Sequence, residues 1–533
     1  MTVDLHPPAA DGATRANRKV WLALALATLL VHLFTNGRYG FFRDELYSIA
    51  CARHLDWGYV DMAPLSALLL RIELTLFGDT LFALRLFPAL AGAATVALTG
   101  VLTGQLGGRV WAVALSSTAA MSALVYLGIG NFYSLNVYEP LFWMGCVYFL
   151  VRIINVTQGS NSRSDREPRL RACATLWLAF GALAGLGLEN KHSMAFFGAG
   201  LAVALVLTPE RKQLTRPWIW LGLLVALLFA FPNILWQMQH DWPTPELLSN
   251  IARSNKNVVL SPLAFIWQQI LIMNPATLPL WLGGLVWLLA ARAGGRYRVL
   301  GFAYLITLAA FIMMHGKHYY LAPIYPMLFA AGGVATERLF GARWQWLKPA
   351  LAASMIALAA LLAPTMLPVL SPEKLVAYMR AIHFEPPRTE TSHTAALPQL
   401  FADQFGWEEM VRSVARAHAT LSPDEQKRVA IFCQNYGQAG AIDLFGRKHG
   451  LPPALSGHQN YFLWGPGQYS GDLVLVIDDP GGDEPAQFRS VEDLGPVDSS
   501  PWAMPWEQRN HIYLCRDLKV PLRDAWPHFK QWL

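Results

Sequence analysis

Hydropathy divides the chain into a strongly apolar part of about 370 residues and a more polar tail of about 160. Within the apolar part, runs of mostly apolar residues near the length of about 20 that crosses a bilayer as helix recur at 20–37, 81–103, 110–128, 136–154, 173–188, 192–208, 217–236, 270–291, 298–314, 320–337 and 347–369. These eleven runs predict a polytopic helical membrane protein. The first follows Arg15, Arg18 and Lys19, as a signal peptide's apolar core would. No small-residue cleavage site comes after it and many more runs do, so it reads as an uncleaved first helix.

Between the first and second runs, Pro64 to Phe77 is apolar but interrupted by Arg71 and Glu73. A deep crossing would leave both charges in hydrocarbon, so a helix lying in the interface is expected. Gln237 to Trp267 is a second long polar connection, whose mix of aromatic and charged residues suits the headgroup level. Beyond residue 370, a proline-containing stretch predicts a linker. FADQFGWEEMVRSVARAHATL then reads as an amphipathic helix, VAIFC, YFLWG, DLVLVID and HIYLC as strands, and AGAIDLFGRKHG as a helix ending in glycine. That alternation predicts a small α/β domain.

Composition agrees. Of 533 residues, 54% are hydrophobic and only 15% charged, against about 25% charged in soluble domains. The net charge of +6 is scattered over short loops, so it reports topology and calls for no nucleic acid. Arg15, Arg18, Lys19, Arg109, Arg163, Arg166, Arg169, Arg171, Arg211, Lys212, Arg216, Arg292, Arg296, Arg298, Arg338, Arg343 and Lys348 fall on one set of loops; Arg43, Arg53, Arg71, Lys191, Arg253, Lys256 and Lys317 fall on the other. The richer set marks the cytoplasmic side. An odd number of spans then places the tail outside, in a bacterium the periplasm. The five cysteines show no metal-binding spacing; Cys433 and Cys515 would be the pair to consider in an oxidising compartment.

Candidate chemistry is concentrated on the outer connections. Arg43, Asp44 and Glu45 directly follow the first run. One carboxylate could act as a general base toward an acceptor hydroxyl while cations hold an anionic leaving group; the competing account is a helix start in which Asp44 caps and Glu45 faces water. Asp61 precedes MAPL, where capping the following helix is the simpler account. Glu139, in NVYEPLFW, sits at the outer end of an apolar run, a costly place for a carboxylate without a partner such as Arg85 or a wet cavity. LENKHSM carries Lys191 and His192, and MHGKHYYLAPIYP gathers Lys317, His318, Tyr319 and Tyr320 where a phosphate headgroup would lie. His315 and His318 are three apart, a metal-binding spacing without a clear third ligand. No Walker loop, nucleophile elbow or dinucleotide fingerprint occurs, and QNYGQAG in the tail is too short to cradle phosphate.

FRDELY, DMAPL with FGDTLFALRLFPALAG, LNVYEPLFW, LGLENKHS and GKHYYLAPIYP stand in that order. In these motifs the chain, over roughly 20–340, resembles the polyprenyl-phosphate-dependent glycosyltransferases of the GT-C fold, in particular bacterial family 39, related to protein O-mannosyltransferases and the lipid A aminoarabinose transferase. The resemblance implies transfer of a sugar, with inversion, from a polyprenyl-phosphate carrier to an acceptor at the outer face. By motif it makes Asp44 the catalytic base with Glu45 beside it, and has Lys317 contact the carrier phosphate. Arg85 matches the ALR arginine. Arg43, Asp61, Glu139, Lys191, His192, His318, Tyr319 and Tyr320 complete the expected substrate-binding set. Where many relatives read DxPP, this chain has Asp61, Met62, Ala63 and Pro64, so that turn departs from the pattern.

The expected architecture is therefore a cytoplasmic tail at 1–19, a GT-C transmembrane catalytic domain at 20–370, a linker at 371–399 and a periplasmic α/β domain at 400–533, in a multi-pass inner-membrane protein. Its expected partners are a polyprenyl-phosphate-linked sugar, a lipid, glycan or protein acceptor, and membrane lipids. The motifs name no certain cofactor, and a divalent metal stays open. The alternative class is a transporter or lipid flippase of envelope glycans, which predicts matched halves and a charged mid-bilayer site.

Overall fold

The computed structural model describes residues 10–158, 166–254, 256–385, 390–391, 395–482 and 484–533. The first nine residues of the expected tail, Arg163 of the basic loops, and Pro386 and Pro387 of the expected linker, lie outside them. Among the described residues, seven helices are long and apolar enough to cross a membrane: Thr14–Thr35, Leu81–Gln105, Leu135–Thr157, Glu167–Asn190, Pro217–Gln239, Gly295–Met313 and Leu347–Thr365. Two bent pairs, Met194–Leu207 with Pro209–Thr215 and Pro262–Ile272 with Pro275–Ala290, bring the number to as many as nine.

The two remaining apolar runs are helical but short. The helix Val110–Ser122 stops where Ala123 turns extended, and a second piece, Leu124–Ile129, follows. The run at 320–337 opens as a 3-10 helix, His318–Ile324, and becomes α-helical only from Tyr325 to Leu339. Pro323 and Pro326 lack the N–H that a continuous ladder needs. Every residue from Tyr325 to Val334 is buried, so this apolar helix faces protein. Apolarity alone does not separate such a core helix from a lipid-facing one.

The chain forms two compact units, neither contiguous in sequence: 1–36, 85–234 and 259–367 in the first; 37–84, 235–258 and 368–533 in the second. In the helical unit, Leu278–Ala290 and Tyr325–Leu339 pack backbone to backbone. A methyl at Gly332 would stand 1.9 Å from the Leu280 carbonyl oxygen and one at Gly284 2.2 Å from that of Leu328, the small-residue packing of membrane helix pairs. The 94° bend before Pro275 is held by buried Asn274, whose Nδ2 donates to the Ser122 and Met355 carbonyls at 3.1 and 2.9 Å.

The second unit is built on a five-stranded sheet of β1 (Ala430–Cys433), β2 (Ala454–Leu455), β3 (Leu473–Asp478), β4 (Phe488–Pro496) and β5 (His511–Leu518), in the order β2-β1-β3-β5-β4. β1 runs parallel to β2 and β3, and β5 antiparallel to β3 and β4. β3, with five consecutive buried residues, is the central strand. Cys433 and Cys515 lie on β1 and β5 with β3 between them, opposite Ile477 and Val474, and so are more than two strand spacings, about 9.5 Å, apart. That is beyond disulfide reach, and all five thiols are free.

Three local expectations need correction. YFLWG is not a strand: Asn460–Trp464 is a helical turn closed by Gly465 at φ +78°, its aromatic β-preference overridden by packing of Phe462 on Trp526. The tail's first helix starts only at Trp407, because Gly406 adopts φ +93° and breaks it from the short turn Gln399–Ala402. Within the stretch read as a linker, Pro372–Ala381 is a helix that buries Leu375 and Met379 beside Phe401 and Met504.

The unit also takes in segments from the amino-terminal half. Tyr39 donates to the Leu370 carbonyl at 2.7 Å, Val60 N–H to Asn460 Oδ1 at 2.7 Å, and Asn250 Nδ2 to the Trp532 carbonyl at 3.0 Å. The helix Pro64–Phe77 buries Glu73 and turns Leu68, Arg71, Ile72 and Leu76 outward. Apart from Arg71 and Thr75 the outward face is apolar, and the acid lies inside, an arrangement that a soluble amphipathic helix would not have.

Candidate functional site

In the second unit, the helix Arg43–Arg53 begins at Phe42, whose N–H donates to Glu45 Oε2 at 2.8 Å. Glu45 is fully buried and Asp44 is 47% exposed at its side chain. The two acids thus have the reverse of the roles in the structural account: Glu45 caps the helix start, and Asp44 presents its carboxylate. This corrects the catalytic assignment of Glu45, whose oxygen is committed to the backbone.

Asp44 is held from one side. Oδ1 accepts a 2.8 Å hydrogen bond from the Tyr436 hydroxyl and lies 3.7 Å from Arg43 Nε. The buried Arg43 guanidinium also stands 3.7 Å from Glu390 and from Asp403, and 5.7 Å over the Tyr436 ring. One cation thus serves three carboxylates. Burial pushes the Asp403 carboxyl up to about 7 against the pull of Arg43, with Asp44 and Glu390 adding to the rise. Tyr436 stacks at 4.8 Å on Tyr47, whose hydroxyl donates to Asp61 Oδ1 at 2.9 Å. Asp61 keeps an exposed surface, yet neighbouring protein displaces enough water to raise it to about 6; the Tyr47 bond opposes that rise and the Asp44 charge adds to it. His458, against the other side of Tyr436 at 4.6 Å, is pushed down to about 3 by burial and the Lys256 charge, and is neutral at neutral pH.

The geometry depends on close approach of two helices. Tyr436–Phe445 lies on Arg43–Arg53 through glycines: a methyl at Gly437 would stand 2.6 Å from Arg43 Cγ, and one at Gly440 2.8 Å from the Leu46 backbone. Asn435 caps that helix, its Oδ1 accepting from the N–H groups of Gly437 and Gln438. The QNYGQAG segment, unpromising as a phosphate cradle, thus supplies the aromatic hydroxyl that orients Asp44.

The helical unit carries the second constellation. Lys191 Nζ donates to Glu139 Oε2 at 2.9 Å and Asn136 Oδ1 at 2.8 Å, and lies 4.1 Å from the Tyr320 ring centroid. Ser193 donates to the other oxygen of Glu139. The partner of Glu139 is therefore Lys191, not Arg85. Arg85 is fully buried and joins two helices, donating to the Asn36 carbonyl at 3.2 Å while its own carbonyl accepts from Asn36 Nδ2 at 2.8 Å; it has no surface to offer a phosphate. His192 pairs with Asn233 at 2.9 Å and is lowered by burial. His318 is buried and lowered to about 4, by desolvation and then by the Lys317 charge. Tyr319 packs edge-on to Tyr320 at 4.9 Å. Lys317 is partly exposed, and among the described residues its ammonium has no hydrogen-bond or ion-pair partner. No group of three or more metal-ligating side chains converges among the described residues.

The sequence model of the family described as dolichyl-phosphate-mannose-protein mannosyltransferase matches residues 61–236. That range includes Asp61, Arg85, Glu139, Lys191 and His192 and excludes Asp44 and Lys317. A lipid A galacturonosyltransferase from Rhizobium johnstonii is 28% identical over 216 residues, which are 40% of this chain and 41% of that protein. The matched region thus spans less than half of the curated relative. ArnT from Cupriavidus metallidurans bound to undecaprenyl phosphate superposes with a TM-score of 0.59 at 16% identity, covering 93% of this chain and 97% of that one. The chain has the GT-C fold. Another GT-C fold, the mycobacterial arabinofuranosyltransferase AftD, matches with a TM-score of 0.51 at 14% identity over 95% of this chain and 40% of its own. The GT-C resemblance read from the motifs agrees with these comparisons at the level of fold, and of those motifs LNVYEPLFW and LGLENKHS fall within the range that the family model matches.

Proposed function

We propose that this GT-C chain is an inverting glycosyltransferase that moves a sugar from a polyprenyl-phosphate carrier to an acceptor at the periplasmic face of the inner membrane. The observation that carries the reading is the half-exposed Asp44 carboxylate, fixed by the Tyr436 hydroxyl and flanked by Arg43. An acceptor hydroxyl would pass its proton to the free oxygen of Asp44 as its own oxygen bonds to the anomeric carbon. The bond from that carbon to the carrier phosphate would break, its electron pair leaving with the phosphate. A polyprenyl phosphate is already a good leaving group, so what the protein adds is a positioned base and a cation.

Lys317 suits the departing phosphate better than Lys191, whose ammonium is engaged by Glu139 and Asn136. In this reading, the Glu139–Lys191 pair shapes the floor on which carrier or sugar rests. The acceptor we favour is a membrane glycolipid, the class named for the galacturonosyltransferase relative. The test incubates purified protein with a panel of polyprenyl-phosphate sugars and membrane extract, and compares it with Asp44→Asn. Native protein should release carrier phosphate and the variant should lose most of that release. Equal release by both would remove Asp44 from the reaction.

A further inference from the structure

At the end of the helical unit away from Lys191 and Tyr320 lies a cavity of about 500 Å³ lined by Gly107, Arg109, Glu337, Arg338, Gln345 and Lys348 among others. The buried helix Tyr325–Leu339 separates the two regions by its length, about 22 Å for 15 residues. Three cations and one carboxylate line the cavity, and the carboxylate is already in use. Glu337 accepts the N–H groups of Arg109 at 2.8 Å and Ala112 at 3.2 Å, closing the amino-terminal end of the helix Val110–Ser122.

Lys348 is the decisive residue. Only 9% of it is exposed, yet among the described residues its ammonium has no ion-pair or hydrogen-bond partner. Its stem is packed away while its ammonium opens onto the cavity, where an anion would supply the counter-charge. Arg338 lies along the same wall, one of its terminal nitrogens 3.4 Å from where a Gly107 side chain would begin. Gly107 itself has φ +90°, a left-handed turn that favours glycine. Trp111, Leu339, Trp344 and Trp346, each within two positions of a lining residue in sequence, are exposed. Indole rings next to cations mark the level of lipid headgroups.

We propose that this cavity is a binding site for the phosphate of an anionic membrane lipid, held by Arg109, Arg338 and Lys348. The chemistry is that of a phosphate monoanion or dianion. The exposed tryptophans beside its lining residues in sequence assign it to a headgroup and not to a phosphate from solution, since a soluble anion has no use for them.

The test titrates the full-length protein in detergent with phosphatidylglycerol, phosphatidylcholine or inorganic phosphate, reading thermal midpoint and retained lipid by native mass spectrometry. Phosphatidylglycerol should bind and stabilise, and the other two should not. Replacing both Arg109→Gln and Lys348→Gln should weaken that binding about tenfold or more, each basic residue near an anionic headgroup contributing roughly tenfold or somewhat less. Arg109→Gln alone removes an exposed side chain and provides a second folded variant with a smaller loss. Arg211→Gln with Lys212→Gln, on a different basic loop, should leave binding unchanged. Undiminished phosphatidylglycerol binding in both cavity variants, or an equal loss in the Arg211/Lys212 control, would overturn the site. Stabilisation by inorganic phosphate at the same concentrations would overturn its assignment to lipid.

Discussion

The Tyr436 hydroxyl donates a 2.8 Å hydrogen bond to Oδ1 of Asp44 across 392 positions of sequence. A bond to a charged partner contributes about 1.5–3 kcal/mol, the lower end where water competes. Asp44 is half-exposed, so Tyr436→Phe should lower turnover about tenfold. The ring would still pack on Tyr47 and His458, so the melting temperature and the KM for donor should barely move. Unchanged turnover in steady-state assays of carrier-phosphate release would mean that the hydroxyl does not position a base.

Gly440 lets two helices meet, and its replacement sets two effects against each other. Alanine in a helix gains up to about 1 kcal/mol over glycine, whereas forcing a methyl to 2.8 Å from the Leu46 backbone costs about 1–3 kcal/mol. The obstacle is main chain, which cannot swing aside, so the clash should win. Gly440→Ala is expected to lower the thermal midpoint and to lower transferase turnover with it. A midpoint at or above the native one would show that the helices separate at no cost.

The Lys191–Glu139 pair is open to a double-mutant cycle. Lys191→Met strands a carboxylate that is 4% exposed, a change that costs about 3–5 kcal/mol for a buried pair. Adding Glu139→Gln removes the stranded charge and should restore most of the stability. If donor binding also returns in the double variant, the pair is structural; if stability returns and donor affinity does not, the charges act on the carrier. Independent, additive losses of stability would contradict the pairing itself.

Asp403 makes stability depend on pH. Its carboxyl is raised to about 7 by burial, against an ordinary value near 3.9. Between these values the folded chain holds a proton that the unfolded chain has released, so stability from this group falls as pH rises from about 4 to about 7. Asp403→Asn carries no titrating proton and should flatten the thermal-midpoint profile across that window. At pH 5 the native carboxyl is itself protonated, so the midpoint of the variant should lie close to the native one there and above it beyond pH 7. A native-like slope between pH 5 and 7 would assign the titration elsewhere.

The helical spans were legible because the signal is local: a run of apolar residues long enough to cross hydrocarbon has few other uses, and each of the eleven runs is helical. DLVLVID and HIYLC likewise announced β3 and β5. YFLWG misled because its aromatic side chains satisfy a strand pattern and a packed helical turn equally well. The run at 320–337 was legible as helix but not as core, since burial against protein and burial in lipid select the same residues.

For the candidate site, residue types and order along the chain were enough to single out Asp44, Glu139, Lys191 and Lys317. They were not enough to tell Asp44 from Glu45, because that turns on which carboxylate reaches the Phe42 N–H, a matter of backbone dihedrals. Nor did they place Tyr436 and Asp403 beside Arg43 or remove Arg85 from ligand reach. Those relationships depend on glycines that admit one helix against another and on a unit assembled from three separated segments. Hydrophobic period and charge pattern are properties of neighbours in sequence and so are written in it directly; the partner of a carboxylate is decided by packing between segments hundreds of residues apart.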